Sequence, residues 1–178
     1  MKGNPITTSM IPSIFTLANL FFGFLALIWV IEQQYTLAAA MIVLSVLMDS
    51  LDGKVARRLS VSSDFGKELD SLSDLVSFGV APAILTYQAI LYPQPDYVRY
   101  IGLGIAALFA LCGAVRLARF NMLNITTYFV GVPITFAGGF MALLMFFRNM
   151  LPWYIYLVSM LVLACLMVSR IKVAKLGK

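Results

Sequence analysis

Four aspartates stand at two helical spacings inside a strongly apolar chain, in the stretch Asp49-Ser-Leu-Asp52-Gly53-Lys-Val-Ala56-Arg57, then eight residues, then Gly66-Lys-Glu-Leu-Asp70-Ser-Leu-Ser-Asp74. Asp49 and Asp52 are i, i+3 and Asp70 and Asp74 are i, i+4, so each pair lies on one helix face. The short polar stretch from Ser60 to Asp64 makes the two helices antiparallel neighbours. Residues at equal depth in such a pair have a constant sum of positions. Asp52 is therefore expected to face Asp70, and Asp49 to face Asp74 about one turn deeper, with the small residues Ala56 and Gly66 meeting near the loop. Carboxylates in a membrane are costly and mark function, and four of them share a site only when cations offset their charge. All-oxygen ligands suit a hard divalent ion: Mg²⁺, Mn²⁺ or Ca²⁺. The structural alternative is a polar knot that only joins two helices, but such knots mix signs and this stripe is all acid.

The chemistry open to this cluster follows from its neighbours. A pair of divalent cations in a wet vestibule binds a pyrophosphate and stabilises the phosphate displaced from it. Gly53 and Gly66 leave room against the backbone for a bulky group. Arg57 can fork onto a phosphate oxygen, Ser63 can donate to one, and a carboxylate can accept the proton of an attacking hydroxyl.

The elements that position these residues are membrane helices. The 178 residues are 61% hydrophobic and 12% charged, with a mean hydropathy of +0.92. A soluble domain of this size could not hide so much apolar surface. Six spans are expected, at 11–31, 36–58, 66–91, 97–121, 133–148 and 152–170, in one transmembrane domain covering 1–178 with no extramembrane module. The fifth is short and is brought in through Gly131-Val-Pro133. The first apolar run reads as a retained helix and not a signal peptide. Cys112 and Cys165 lie in apolar helical stretches and read as buried free thiols. The absence of histidine excludes imidazole chemistry.

The net charge of +5 follows topology rather than nucleic-acid binding. Lys2, the group Lys54, Arg57, Arg58 and Lys67, then Arg116 and Arg119, then Arg170, Lys172, Lys175 and Lys178 fall on one side of a six-span arrangement; Arg99 and Arg148 fall on the other. By the positive-inside rule the acidic cluster faces the cytoplasm. The C-terminal basic run would lie on anionic headgroups. On span one, Asn19 sits about as deep as the acids, and either borders them or makes an interhelical hydrogen bond beside Gly23. Arg116 and Arg119 share a face of span four, as interface anchors or as an anion site. Glu68 falls away from Asp70, toward solvent or headgroups. Gly102, Gly104, Gly138 and Gly139 read as close helix packing.

The order D-x2-D-G-x2-A-R-x8-G-x3-D-x3-D resembles that of the CDP-alcohol phosphotransferases, with every fixed position filled. The resemblance implies a six-helix fold, usually homodimeric, and transfer of a phosphate-linked group from a CDP-alcohol with release of CMP. It implies that Asp49, Asp52 and Asp70 hold divalent metals and that Asp74 is the general base and touches a metal. Gly53, Gly66 and Arg57 would shape the cytidine diphosphate pocket. The run Leu75-Val-Ser-Phe-Gly79-Val-Ala-Pro82 after the last Asp, the run Arg116-Leu-Ala-Arg119-Phe-Asn121, and Pro12-Ser13-x2-Thr16-x2-Asn19-x3-Gly23 are similar to the phosphatidylserine synthase branch of Gram-positive bacteria and archaea. Ser13 stands where many relatives have Asn. That branch implies CDP-diacylglycerol and L-serine as substrates. A carboxylate-bearing acceptor needs a cation away from the metals, and Arg116 or Arg119, the deeper Arg116 first, supplies it. Glycerol phosphate or inositol phosphate are the competing acceptors. A divalent-cation carrier is the competing class, and it leaves Gly53, Arg57 and Gly66 without a role.

Overall fold

A computed structural model describes residues 5–59, 64–123, 129–169 and 172–173, and side chains at 14–54, 65–122 and 131–169. Six helical rods follow one another. The first two are α1 (Pro5–Ile31) and α2 (Tyr35–Leu59). The third is composite: α3 (Asp64–Asp74), a π-helical stretch Leu75–Val80, α4 (Ala81–Thr86) and a second π-helical stretch Tyr87–Leu91. Then come α5 (Asp96–Leu123), α6 (Ile134–Met145) and α7 (Trp153–Val168). The all-α expectation holds apart from one short antiparallel pairing, β1 (Phe129–Val130) with β2 (Lys172–Val173), which joins the segment before α6 to the segment after α7.

Among the described residues, four stretches are long and apolar enough to cross a membrane: Ile14–Ile31, Tyr35–Lys54, Phe65–Leu91 and Asp96–Met122. Helices α6 and α7 are shorter than expected, with 12 and 16 residues. At ~1.5 Å per residue they reach roughly 18 and 24 Å, short of a ~30 Å hydrocarbon core. Prolines set their starts: Pro133 and Pro152 are the N-cap residues, where a missing N–H costs nothing. After α6 the chain turns through residues 146–150, and the buried Tyr156 donates its hydroxyl to the Leu144 carbonyl at 3.0 Å, tying α7 to the end of α6.

The composite third rod has a physical cause. Pro82, at the start of α4, has no N–H to give to the preceding turn. The turn before it widens instead, and the Ala81 N–H reaches back five residues to the Val76 carbonyl. The widened turns begin directly after Asp74. At the other end of α1, Gln33 is left-handed (φ 58°), and the N–H groups of Gln33 and Gln34 close onto the carbonyls of Val30 and Trp29. This is a C-terminal cap usually built on glycine.

Helix α1 packs along α2 and also against α3 and the first π-helical stretch; α6 packs on α2 and on that same stretch, and α5 on α7. Among the described residues α1, not α3, is the main partner of α2. The core holds Phe78, Phe109, Leu85, Met141, Met145, Tyr156 and Met160, while Phe21, Phe24, Leu103, Leu111, Phe136 and Val162 face outward, as lipid-facing surfaces do. The cysteines are free, but Cys165 is exposed and Cys112 half-buried, so the expectation of buried thiols fails. Their helices turn those positions toward the lipid-facing surface.

The glycines divide. A Cβ at Gly138 would strike the Phe78 backbone, one at Gly102 would strike Leu91, and one at Gly139 would press on Val46, whereas one at Gly104 meets nothing. The expected packing role therefore holds for three positions and not for Gly104. Gly138→Ala should lower the thermal unfolding midpoint of the detergent-solubilised protein, since an overpacked contact costs about 1–3 kcal/mol. Gly104→Ala should leave the midpoint unchanged or raise it slightly. Equal midpoints for the two variants would contradict this packing.

Candidate active site

One face of α1 organises the polar interior. Thr16 and Asn19 are i, i+3, and both are buried. Thr16 donates its hydroxyl to Asp52 Oδ2 at 3.0 Å, and Asn19 Nδ2 donates to Asp74 Oδ1 at 3.2 Å. The Asn19 backbone carbonyl accepts from Ser45 Oγ at 3.1 Å and from Ser77 Oγ at 3.0 Å. One residue of α1 thus ties α2 to the π-helical stretch after α3. Gly23, a turn further on, lets the backbone of α1 approach Ser77, because any Cβ there would collide with it. Asn19 both borders the acids and makes the interhelical bond, so its two expected roles coincide. Hydrogen bonds to charged acceptors are worth about 1.5–3 kcal/mol each, enough to fix carboxylate orientation.

Against this face, carboxylate oxygens of Asp49, Asp70 and Asp74 all lie within 4.8 Å of one another. Asp49 and Asp74 meet as the sum of positions predicts. Asp70 joins them and also lies close enough to Asp52 for the like charges to interact, while Asp52 turns one oxygen to Thr16. The sum rule treats α2 and α3 as a close isolated pair; here α1 packs against both and the aspartates reach across the space between. The Ala56 contact with Gly66 falls on a side chain outside the described ones. Thr135, early in α6, hydrogen-bonds to Asp49 from a third direction. Asp52 and Asp74 are each only 7% exposed.

Three carboxylates at this separation repel one another unless a cation lies between them. The donor set fits a hard divalent ion: every ligand atom is oxygen, and Asp70 Oδ1 is buried with no hydrogen-bond partner. An orphaned acceptor in a buried site calls for a missing ligand.

The two arginines of α5 are put to different uses. Arg116 is buried (8% exposed), with Nε unpartnered and its guanidinium carbon 6.0 Å from the Phe120 ring centre, close enough to Asp74 for the opposite charges to interact. Arg119 instead donates Nη1 to the Val168 carbonyl at 3.1 Å, capping the end of α7. Of the two, Arg116 lies beside the acids, and Arg119 is engaged with α7. Asn121 donates to Ser71 Oγ at 3.0 Å and, more weakly, to the exposed Glu68 at 3.5 Å, which links α5 to α3. Glu68 lies at the surface as expected. Gly53 and Gly66 are half-buried on the helices that carry the acids. The side chain of Arg57 and all of Ser63 lie outside the described residues. Sequence reasoning gave no site role to Thr16, Ser45, Ser77 or Thr135. Thr16 and Ser77 stood in the runs similar to the serine branch, whereas Ser45 and Thr135 showed only a hydroxyl on an apolar helix.

A model of CDP-alcohol phosphatidyltransferases matches residues 9–169. The chain belongs to this family. A protein of Bacillus subtilis named CDP-diacylglycerol–serine O-phosphatidyltransferase is 37% identical over 163 residues, which cover 91% of this chain and 88% of the relative. One of the same name from Methanocaldococcus jannaschii is 41% identical over 160 residues, covering 90% of this chain and 71% of the relative. Another from Helicobacter pylori strain J99 is 36% identical over 181 residues, covering 97% and 74%. The motif resemblance and the similarity along the whole chain point to the same family.

Proposed function

We propose that this protein is a CDP-diacylglycerol–serine O-phosphatidyltransferase, a single transmembrane domain over 1–178 whose site opens toward the cytoplasm of the cell membrane. The observation that carries the reading is the convergence of Asp49, Asp70 and Asp74, all at fixed motif positions, beside a buried arginine. Asp49, Asp52, Asp70 and Asp74 would hold two divalent cations, Mg²⁺ or Mn²⁺. Bound there, such ions supply charge compensation for a pyrophosphate and for the CMP that leaves.

The chain's own residues do the rest. Gly53, Gly66, Arg57 and Ser63 receive the cytidine diphosphate moiety. Asn19 holds Asp74 Oδ1, which leaves the second oxygen to accept the serine hydroxyl proton. The serine oxygen forms a bond to the phosphorus that carries diacylglycerol, the pyrophosphate bond breaks, and CMP leaves with its electron pair. The products are phosphatidylserine, CMP and the proton on Asp74. Arg116, with an unpartnered Nε in a buried pocket, receives the serine carboxylate. The protein works as a homodimer in the bilayer, like the family's usual assembly.

Arg116→Lys should raise the Michaelis constant for serine roughly tenfold, since a forked contact is lost, and leave that for CDP-diacylglycerol unchanged. Unchanged constants for both substrates would make Arg116 a structural cation. The deciding experiment incubates the purified protein with CDP-diacylglycerol, Mn²⁺ or Mg²⁺, and a panel of labelled alcohols. Serine should be the acceptor that releases CMP fastest. Preference for glycerol phosphate or inositol phosphate would overturn the acceptor assignment while leaving the family chemistry intact.

A further inference from the structure

At the end of the bundle away from the acids lies a second concavity of about 660 Å³, lined by Val30, Ile31, Gln33, Tyr35, Ile84, Gln88, Tyr92 and Pro93. Val30 is 11 residues beyond Asn19 on α1, roughly 16 Å along the helix, so this is a different place from the acidic cluster. Several independent features converge on it. Its lip carries Gln33, the one non-glycine residue with positive φ among the described residues. One wall is the second π-helical stretch, which presents Gln88. Irregular backbone of both kinds gathers at binding sites.

Charge gives the occupant. Arg99 and Arg148 are the two basic residues that fall on this side of the six-span arrangement, and each lies over a tyrosine of the cavity wall. Arg148 is 5.5 Å from the Tyr35 ring centre; Arg99 is 5.5 Å from that of Tyr92 and 5.3 Å from that of Tyr100, which lies outside the groove wall. Arg99 also pairs with the exposed Asp96 at 3.1 Å, while no carboxylate pairs with Arg148 among the described residues. The groove's floor is apolar: Val30, Ile31 and Ile84. An apolar floor with the Arg148 guanidinium at a helix-end belt of Tyr matches an amphiphile with a phosphate head.

We propose that this groove binds a glycerophospholipid of the leaflet opposite the acidic cluster, with its phosphate on Arg148 beside Tyr35 and one acyl chain over Val30, Ile31 and Ile84. The site stands whether or not the transferase reading does.

The test is native mass spectrometry of the full chain, released from detergent in the presence of EDTA and titrated with dioleoylphosphatidylglycerol, with dioleoylglycerol as the phosphate-free comparison. The wild type should retain one phospholipid and hold dioleoylglycerol far less well. The variant Arg148→Gln should weaken retention at least about tenfold, because a charge-assisted contact is lost. Ile84→Trp, at a half-exposed position, fills the floor without touching a charge and should weaken it comparably. Metal-dependent CMP release by both variants reports that they remain folded. Retention equal to wild type in both variants, equal retention of the two lipids, or a change only in the number of chains per complex would each overturn the proposal.

Discussion

Asp49→Asn should lower CMP release from CDP-diacylglycerol by at least about a hundredfold, because groups that merely support metal ligands already cost 10–100-fold when removed. The amide keeps the shape and removes the charge. Asp49 stands where carboxylates of α2 and of α3 come within 4.8 Å, so its loss removes the α2 member of that cluster. Asp52→Asn and Asp70→Asn should behave alike. The variants should also need more divalent ion to reach half-maximal activity, read from a Mn²⁺ titration. An Asp49→Asn protein with wild-type activity at ordinary metal concentrations would sink the di-metal reading.

Asp74→Asn should lose transfer by about 10²–10⁴-fold, the range of a positioned general base, while still binding CDP-diacylglycerol with divalent metal. Asn19 fixes one oxygen of this residue, so the substituted amide has a ready orientation and the fold need not change. Donor affinity is measured by equilibrium binding of labelled CDP-diacylglycerol, and transfer by product formation in a single turnover. If donor binding falls as far as in Asp52→Asn, Asp74 is a metal ligand before it is a base.

Much of the site was legible because carboxylates in apolar helices have few roles, and their i, i+3 and i, i+4 spacings fix a face. The meeting of Asp49 with Asp74 followed from antiparallel geometry alone. What did not follow was the place of α1. A sequence spacing relates two consecutive helices and says nothing of a third that packs against both, so the turning of Asp52 toward Thr16 was not visible. The π-helical stretches were likewise hidden. Pro82 signals a broken hydrogen bond, but whether a helix kinks or widens depends on what packs beside it, here α1, α5 and α6. Depth put Arg116 before Arg119, but the use of Arg119 was hidden because helix periodicity gives a face and not a partner; the carbonyl that Arg119 caps belongs to α7, 49 residues later. The number of rods was readable from hydropathy. The shortness of the fifth rod was readable too, but not that α6 stops at Met145, because Phe146 and Phe147 carry the apolar run into the turns at 146–150.

The most direct measurement follows the serine oxygen. Reaction of the full-length protein, CDP-diacylglycerol and Mn²⁺ with L-serine labelled with ¹⁸O in its hydroxyl should give phosphatidylserine that carries the label in the phosphodiester, and unlabelled CMP in equal amount. Label in CMP, or CMP release without a labelled phospholipid, would contradict the account.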